Sequence, residues 1–323
     1  MFARESQVLT TKEAIVSITG FQELFAEADR LRRPLPVVAA GGADATVLAA
    51  LHQALLRKWV DPVLTGSETA IQKLADELEI PLDGFRIVDS DDPAAAAVAE
   101  VRAGRAVCLM KGQIATPELM KAVLSKDAGL RTERVICQIV LMEVPRDHRR
   151  FLLADTGITI RPTLEQKIDI LQSLQTVASA LREPETPGDW KPRIGVMAAT
   201  EKTTDAMPDT LEAAELARRN AAGEWPGCLV QGPLSFDLAY ATDAGEKKKI
   251  AGDVVGSADA MLFPDLLSAN LTVKAIMYTA DCRFGGVLCG AACPVVFMSR
   301  ADSTETRLNS LAYTLKMLRA KTG

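Results

Sequence analysis

Short runs rich in Val and Ala alternate along this chain with stretches whose apolar positions recur every three or four residues. The run Leu35 to Ala40 predicts a buried strand, and the amphipathic stretch from about Asp44 to Lys58 predicts a helix after it. The alternation continues with a strand around Val60 to Leu64, a helix opening at Ser67 and a strand from Phe85 to Val88. An alanine-rich helix then follows Pro93 and ends near Gly104, ahead of a strand from Ala106 to Met110. Upstream, Thr10 and Glu13 have the spacing of a capping box for a helix reaching Arg33–Pro34. This rhythm predicts a mostly parallel sheet covered by helices.

After Arg131 the pattern changes. Two apolar runs, Val135 to Val144 and Phe151 to Ala154, flank Pro145-Arg146-Asp147-His148 and predict an antiparallel pair. A long helix from Thr163 to Arg182 leads into a linker with three prolines. Strands are expected at Arg193 to Met197, Cys228 to Val230 and Ala260 to Phe263, with a helix from Asp209. The chain closes with the apolar run Cys293 to Met298 and a helix whose Leu308, Leu311, Leu315 and Leu318 share one face. The expected division is 1–145 with 285–323 as one α/β unit and 146–284 as a second.

A length of 323 residues suits about two domains. The net charge of -5 argues against a nucleic-acid surface, so Lys247-Lys248-Lys249 and Arg149-Arg150 read as solvated faces. No run approaches the ~18 apolar residues of a membrane span, and no signal-peptide pattern opens the chain. A cytoplasmic location is therefore expected, with six cysteines as free thiols. None of them forms a C-x-x-C pair and there are only two histidines, so no metal site is expected. Neither G-x-G-x-x-G after a strand nor a P-loop occurs; Gly41-Gly42 is a tight turn and a weak phosphate hint.

The strongest chemical signal is Ser299-Arg300, where the last apolar run breaks before the last helix. Helix N-termini favour anions, and a guanidinium clamps an oxyanion through two parallel hydrogen bonds. Asp302 and Glu305 stand three apart and either open that helix as a capping box or serve the site. Met110-Lys111-Gly112 leads through Thr116-Pro117 to Lys121, again strand, glycine turn and helix. There Thr116 is the expected N-cap, and Lys111 and Lys121 are candidate anion ligands. Asp155, at a strand end, is a candidate for ordering a cleft. Polar groups outside the carboxyl ends of strands are where α/β sheets bind ligands.

Together these segments resemble the phosphate acetyl/butyryltransferase family over nearly the whole chain after about residue 35. The resemblance rests on Asp155 with Pro162-Thr163-x-Glu165-Gln166, on Gly232-Pro233-Leu234-x-Phe236-Asp237, and on Phe263-Pro264-Asp265-Leu266 with Asn270 and Lys274. It extends through Gly286, Gly290 and Pro294 to Ser299-Arg300-Ala301-Asp302-Ser303. The resemblance implies two three-layer α/β/α domains with mostly parallel sheets, like those of isocitrate/isopropylmalate dehydrogenases. It also implies a cleft site, a homodimer, and acyl-CoA and inorganic phosphate as substrates with no cofactor. By the same resemblance Ser299 donates to the acyl carbonyl oxygen, Arg300 holds the phosphoryl group, and Lys121 replaces a second arginine. Asn270, Lys111, Thr116, Asp302 and Ser303 join the expected binding set. The family's thiol-deprotonating aspartate is Thr306 here, which leaves Glu305, water or phosphate as the base. A dehydrogenase and a catalytically silent binding domain are the competing readings.

Overall fold

The computed structural model describes residues 17–297 and 302–322, so the Thr10–Glu13 capping box and Ser299-Arg300 lie outside the described residues. The chain begins with α1 (Phe21–Ala28), β1 (Leu35–Ala40), α2 (Ala45–Leu56), β2 (Val60–Gly66) and α3 (Glu68–Glu77). β3 (Arg86–Asp89), α4 (Pro93–Arg102), β4 (Cys108–Lys111) and α5 (Thr116–Val123) continue the alternation. β5 (Cys137–Val144) and β6 (Arg149–Ala154) precede α6 (Leu164–Ala180), β7 (Arg193–Met197), α7 (Pro208–Ala221) and β8 (Leu229–Leu234). Then come α8 (Phe236–Tyr240), α9 (Ala244–Lys248), β9 (Ala260–Leu262) and α10 (Leu266–Thr279). β10 (Arg283–Cys289), β11 (Val295–Val296) and α11 (Thr304–Thr322) end the described chain.

Local chemistry starts these helices where polar residues take up first-turn N–H groups. The Asp44 carboxylate accepts from Thr46 and Val47 at the start of α2, and Asp92 accepts from Ala95 at the start of α4. Thr163 and Gln166 exchange bonds as a capping box on α6. The first helix is shorter than the sequence suggests among the described residues, because α1 begins only after Gly20.

All described strands lie in one mixed sheet ordered β3-β2-β1-β4-β11-β10-β5-β6-β9-β7-β8. Two parallel wings, β3-β2-β1-β4-β11 and β6-β9-β7-β8, are joined through antiparallel pairings at β11–β10, β10–β5 and β5–β6. Three reversals make the wings run in opposite directions. The pairing of β5 with β6 is antiparallel, as the Pro145–His148 turn predicts. The described strands form one continuous sheet.

Alternation along the strands sorts the core into layers. Cys137, Ile139 and Leu141 of β5 join a cluster with residues of α1, α2, α3, α6, α7 and α11. On the other face, α4 and α5 cover the first wing and α8, α9 and α10 cover the second. Strand β10 is missing from the sequence-based expectation because Gly285-Gly286 interrupts its apolar run. Those glycines let α11 lie directly on the strand: a Cβ at Gly285 would stand 2.8 Å from the Ser310 nitrogen. Gly286 N–H donates to Ser310 Oγ at 2.9 Å. No described helix is long and apolar enough to cross a membrane.

Arg149 and Arg150 are not a solvated face. Arg149 donates to the Gly256 carbonyl at 2.9 Å, and Arg150 pairs with Glu183 at 2.7 Å and with Glu143 at 3.7 Å. A second buried carboxylate, Glu100 on α4, accepts from Arg105 and from Arg86. These partners, the Arg105 fork first, hold its pKa near 2 against an ordinary value of 4.5, although burial opposes them. Because the folded value is depressed, the stabilisation is complete above about pH 4.5 and disappears as pH falls toward 2. Glu100→Gln should therefore cost on the order of 2 kcal/mol at pH 7, the half-exposed arginines being partly screened by solvent. Denaturant midpoints of variant and wild type should converge as the pH is lowered through that window, and a constant gap would contradict the assignment.

Candidate functional site

The functional region follows from the shortness of β11. Val296 lies level with Val287 of β10, and Val287 is level with Ile139 near the start of β5. Leu153 of β6 pairs with Val140. The carboxyl ends of β11 and β6 therefore emerge at nearly the same height, although their wings run oppositely. Gln138 joins them: its side-chain amide donates to the Phe297 carbonyl at 3.0 Å, and its backbone N–H donates to Asp155 Oδ1 at 2.9 Å.

Asp155 organises the loop after β6. Its Oδ1 also accepts from Gly157 and Ile158 at 3.0 and 3.1 Å, and its Oδ2 accepts from Thr159 at 2.8 Å. Burial raises its pKa, and these backbone donors oppose the rise. Asn270 Nδ2 donates to the Thr156 carbonyl at 3.1 Å and ties α10 to the same loop. Ile158 packs against the cluster under α4 and α5, so the second wing's loop touches the first wing. The structure thus gives Asp155 and Asn270 loop-ordering contacts beside the end of β11.

Across the sheet, β11 pairs in parallel with β4, Val296 opposite Met110, so Lys111 and Phe297 leave their strands side by side. Lys111 is buried, with Nζ 3.4 Å from the Gly112 carbonyl. The turn after it is packed backbone to backbone against the turn after β1. A Cβ at Gly112 would stand 2.1 Å from the Gly41 carbonyl oxygen. The N–H groups of Gly41 and Gly42 both donate to the Thr65 carbonyl, at 3.1 and 2.9 Å. The phosphate hint at Gly41-Gly42 is therefore overturned, since those donors are already engaged.

The next turn differs. The N-cap of α5 is Ala115, with Thr116 and Pro117 as its first residues, so the expected cap at Thr116 is off by one position. Alanine has no side-chain acceptor, but the Glu118 carboxylate reaches back to accept from the Ala115 N–H at 3.2 Å, so a negative charge already stands at this first turn. Lys121, one turn further, lines a cleft of about 800 Å³ between α4 and α5. Arg102 and Lys121 are its cations, Asp91, Asp92 and Glu118 its carboxylates, and alanines of α4 form much of its wall.

At the start of α11, Ser303 rather than Asp302 provides the cap: Thr306 N–H donates to Ser303 Oγ at 3.2 Å. The two hydroxyls also lie 3.1 Å apart. The Asp302–Glu305 capping box does not form in that register. Glu305 lines a separate hollow beside Phe25, Arg57 and Arg283 and is not among the residues lining the Lys121 cleft. Asp302 is near enough to Arg307 to favour its charged form. Two residues were absent from the sequence-based set, Gln138 and Arg307. Gln138 interrupts the apolar start of β5, and Arg307 is a charged side chain within the buried run of α11; those interruptions were the available signals. Among the described residues no cluster of three or more His, Cys, Asp or Glu could hold a metal ion.

Such a junction defines a mixed α/β protein in which strand ends of two parallel wings meet. The family model described as phosphate acetyl/butaryl transferase matches residues 90–315. The phosphate acetyltransferase of Thermotoga maritima is 36% identical over 282 residues, covering 87% of this chain and 93% of that protein. The phosphate butyryltransferase of Clostridium acetobutylicum is 34% identical over 279 residues, covering 85% and 91%. A branched-chain phosphotransacylase from Enterococcus faecalis superposes with a TM-score of 0.76 at 27% identity, over 88% of this chain and 99% of that one. The chain belongs to the phosphate acetyl/butyryl transferase family of acyltransferases.

Asp155→Asn should weaken the junction, because its new NH₂ group must face an N–H that a carboxylate oxygen now accepts. The expected loss is about 1–3 kcal/mol in denaturant unfolding. An unchanged midpoint would mean that the loop does not depend on these bonds.

Proposed function

We propose that the protein moves a short acyl group reversibly between coenzyme A and inorganic phosphate, acyl-CoA and phosphate giving acyl phosphate and CoA. The observation that carries this reading is the extent of the family match. Residues 90–315 run from α4 to the buried part of α11 and include every element that meets at the β11–β6 junction. The names of the relatives compared above favour neither a dehydrogenase nor a silent binding domain. Both acetyl and butyryl groups remain within the proposed substrate class.

In this scheme a phosphate oxygen attacks the thioester carbonyl carbon, the C–S bond breaks, and the CoA thiolate takes up a proton. Ser299 donates to the carbonyl oxygen as negative charge develops there, a contribution of roughly 3 kcal/mol for one such donor. Arg300 clamps the phosphoryl group, with Lys121 and Lys111 adding positive potential and Thr116, in the first turn of α5, in the same binding set. Lys121 supplies charge without a fork and orients phosphate less tightly than arginine does. Asp155 and Asn270 hold the opposite wall, Ser303 sets the start of α11, and Asp302 beside it adds to the binding set near Arg307. We assign the transferred proton to phosphate itself rather than to Glu305, because Glu305 lines the hollow beside α1 and Thr306 has no basic group. The chemistry needs no metal or nucleotide cofactor.

The two wings, 1–145 with 285–323 and 146–284, are proposed as the two lobes of an isocitrate/isopropylmalate dehydrogenase-like architecture, with the site between them. Six free thiols, most of them buried, favour the cytoplasm. A homodimer is proposed on a stripe of α10 where Leu267, Leu271 and Tyr278 are 68%, 59% and 79% exposed. Their spacing puts them on one helix face.

Mixing acyl-CoA with phosphate should release free CoA in a phosphate-dependent manner, and no release across acyl chain lengths would refute the activity. Ser299→Ala and Arg300→Ala should each lower turnover by about tenfold or more in a folded protein. The Arg300 change should also raise the phosphate KM most; wild-type rates in either variant would remove that residue from the scheme. Sedimentation should give a dimer for the wild type and a monomer for Leu271→Glu, whereas a monomeric wild type would exclude the dimer.

A further inference from the structure

At 1% exposure Arg307 is fully buried in the first turn of α11, and nothing in the acyl-transfer scheme uses it. Its Nε donates to Thr46 Oγ1 at 2.7 Å and its Nη1 to the Lys111 carbonyl at 3.0 Å. Nη2 stands 3.6 Å from Asp44 Oδ2. Thr46 Oγ1 donates to Asp44 Oδ1 at 2.7 Å, so the partners on α2 are themselves linked. Burial pulls the guanidinium pKa down, with Asp44 and then Asp302 acting against it.

Stability alone is a poor reason for this arrangement. A buried ion pair carries a desolvation cost that often cancels its attraction, and apolar side chains of similar volume commonly do as well. What the guanidinium supplies instead is a rigid fork reaching several partners at once. Those partners belong to two connections, and Arg307 itself to a third. Asp44 and Thr46 follow β1, Lys111 ends β4, and Arg307 follows β11, the three being adjacent parallel strands. Arg307 therefore joins, through one planar group, the three turns that leave the same end of the first wing.

We propose that Arg307 is a positioning residue that holds the β11–α11 connection, which carries Ser299-Arg300, in register with Lys111 and the start of α2. This rests on the acyltransferase reading above. The fork's printed partners include Lys111, proposed above for the phosphoryl end, and no residue assigned to acyl-CoA, so the phosphoryl-holding groups of this end keep a fixed spacing. Loss of the fork should separate catalytic rate and phosphate affinity from acyl-CoA affinity, since misplacement by about 1 Å costs up to ~100-fold in rate.

The test uses the full chain in the phosphate-dependent CoA-release assay, with thermal unfolding run in parallel. Arg307→Met should lower kcat by about tenfold or more and raise the phosphate KM, with the acyl-CoA KM near wild type. Arg307→Lys, which keeps the charge and reaches fewer partners, should recover part of the lost kcat. Thr46→Val removes one partner and should move the same two parameters by less. A folded Arg307→Met with wild-type kcat and phosphate KM, whatever its melting temperature, overturns the proposal. If that variant does not fold, wild-type kinetics in both Arg307→Lys and Thr46→Val overturn it. A wild-type chain without phosphate-dependent release removes the acyltransferase reading and this inference with it.

Discussion

A strand of two residues governs the geometry of this protein. β11 pairs with β4 on one side and β10 on the other, and then stops. A longer strand there would carry its carboxyl end past the level at which β6 ends. Because it stops early, two wings that run in opposite directions deliver their strand ends to one place. In a doubly wound sheet a crevice arises where the strand order reverses. Here the corresponding meeting of strand ends arises from a direction change and a stagger, with Gln138 bonded to both sides of it.

Charge is arranged around that place with economy. The chain carries a net -5, yet Lys111 ends β4 and Arg307, in the helix after β11, reaches the Lys111 carbonyl. The carboxylates nearest the junction are largely engaged. Asp155 is held by four backbone N–H groups, and Asp44 caps α2 while facing Arg307.

Much of this was legible from apolar periodicity. The strand at Leu35–Ala40, the hairpin from β5 to β6 and the caps at Asp44, Ser67 and Thr163 follow directly from local rules. What was not legible depends on partners distant in sequence. β10 is hidden because its glycines serve the approach of α11, a tertiary demand that erases the strand signature. That the two parallel wings join in one sheet is visible only in the strand pairing. The cap of α11 moved by one residue, to Ser303, because Asp302-x-x-Glu305 and Ser303-x-x-Thr306 are both plausible openings and local sequence does not choose between them. Gly41-Gly42 looked available only because the Thr65 carbonyl that occupies it lies on the neighbouring strand.

The contact between Gly112 and Gly41 carries a mechanical consequence. With no room for even one methyl group between the two turns, they behave as a single stiff part rather than as independent hinges. A ligand that displaces the turn leading into α5 must drag the turn leading into α2 with it.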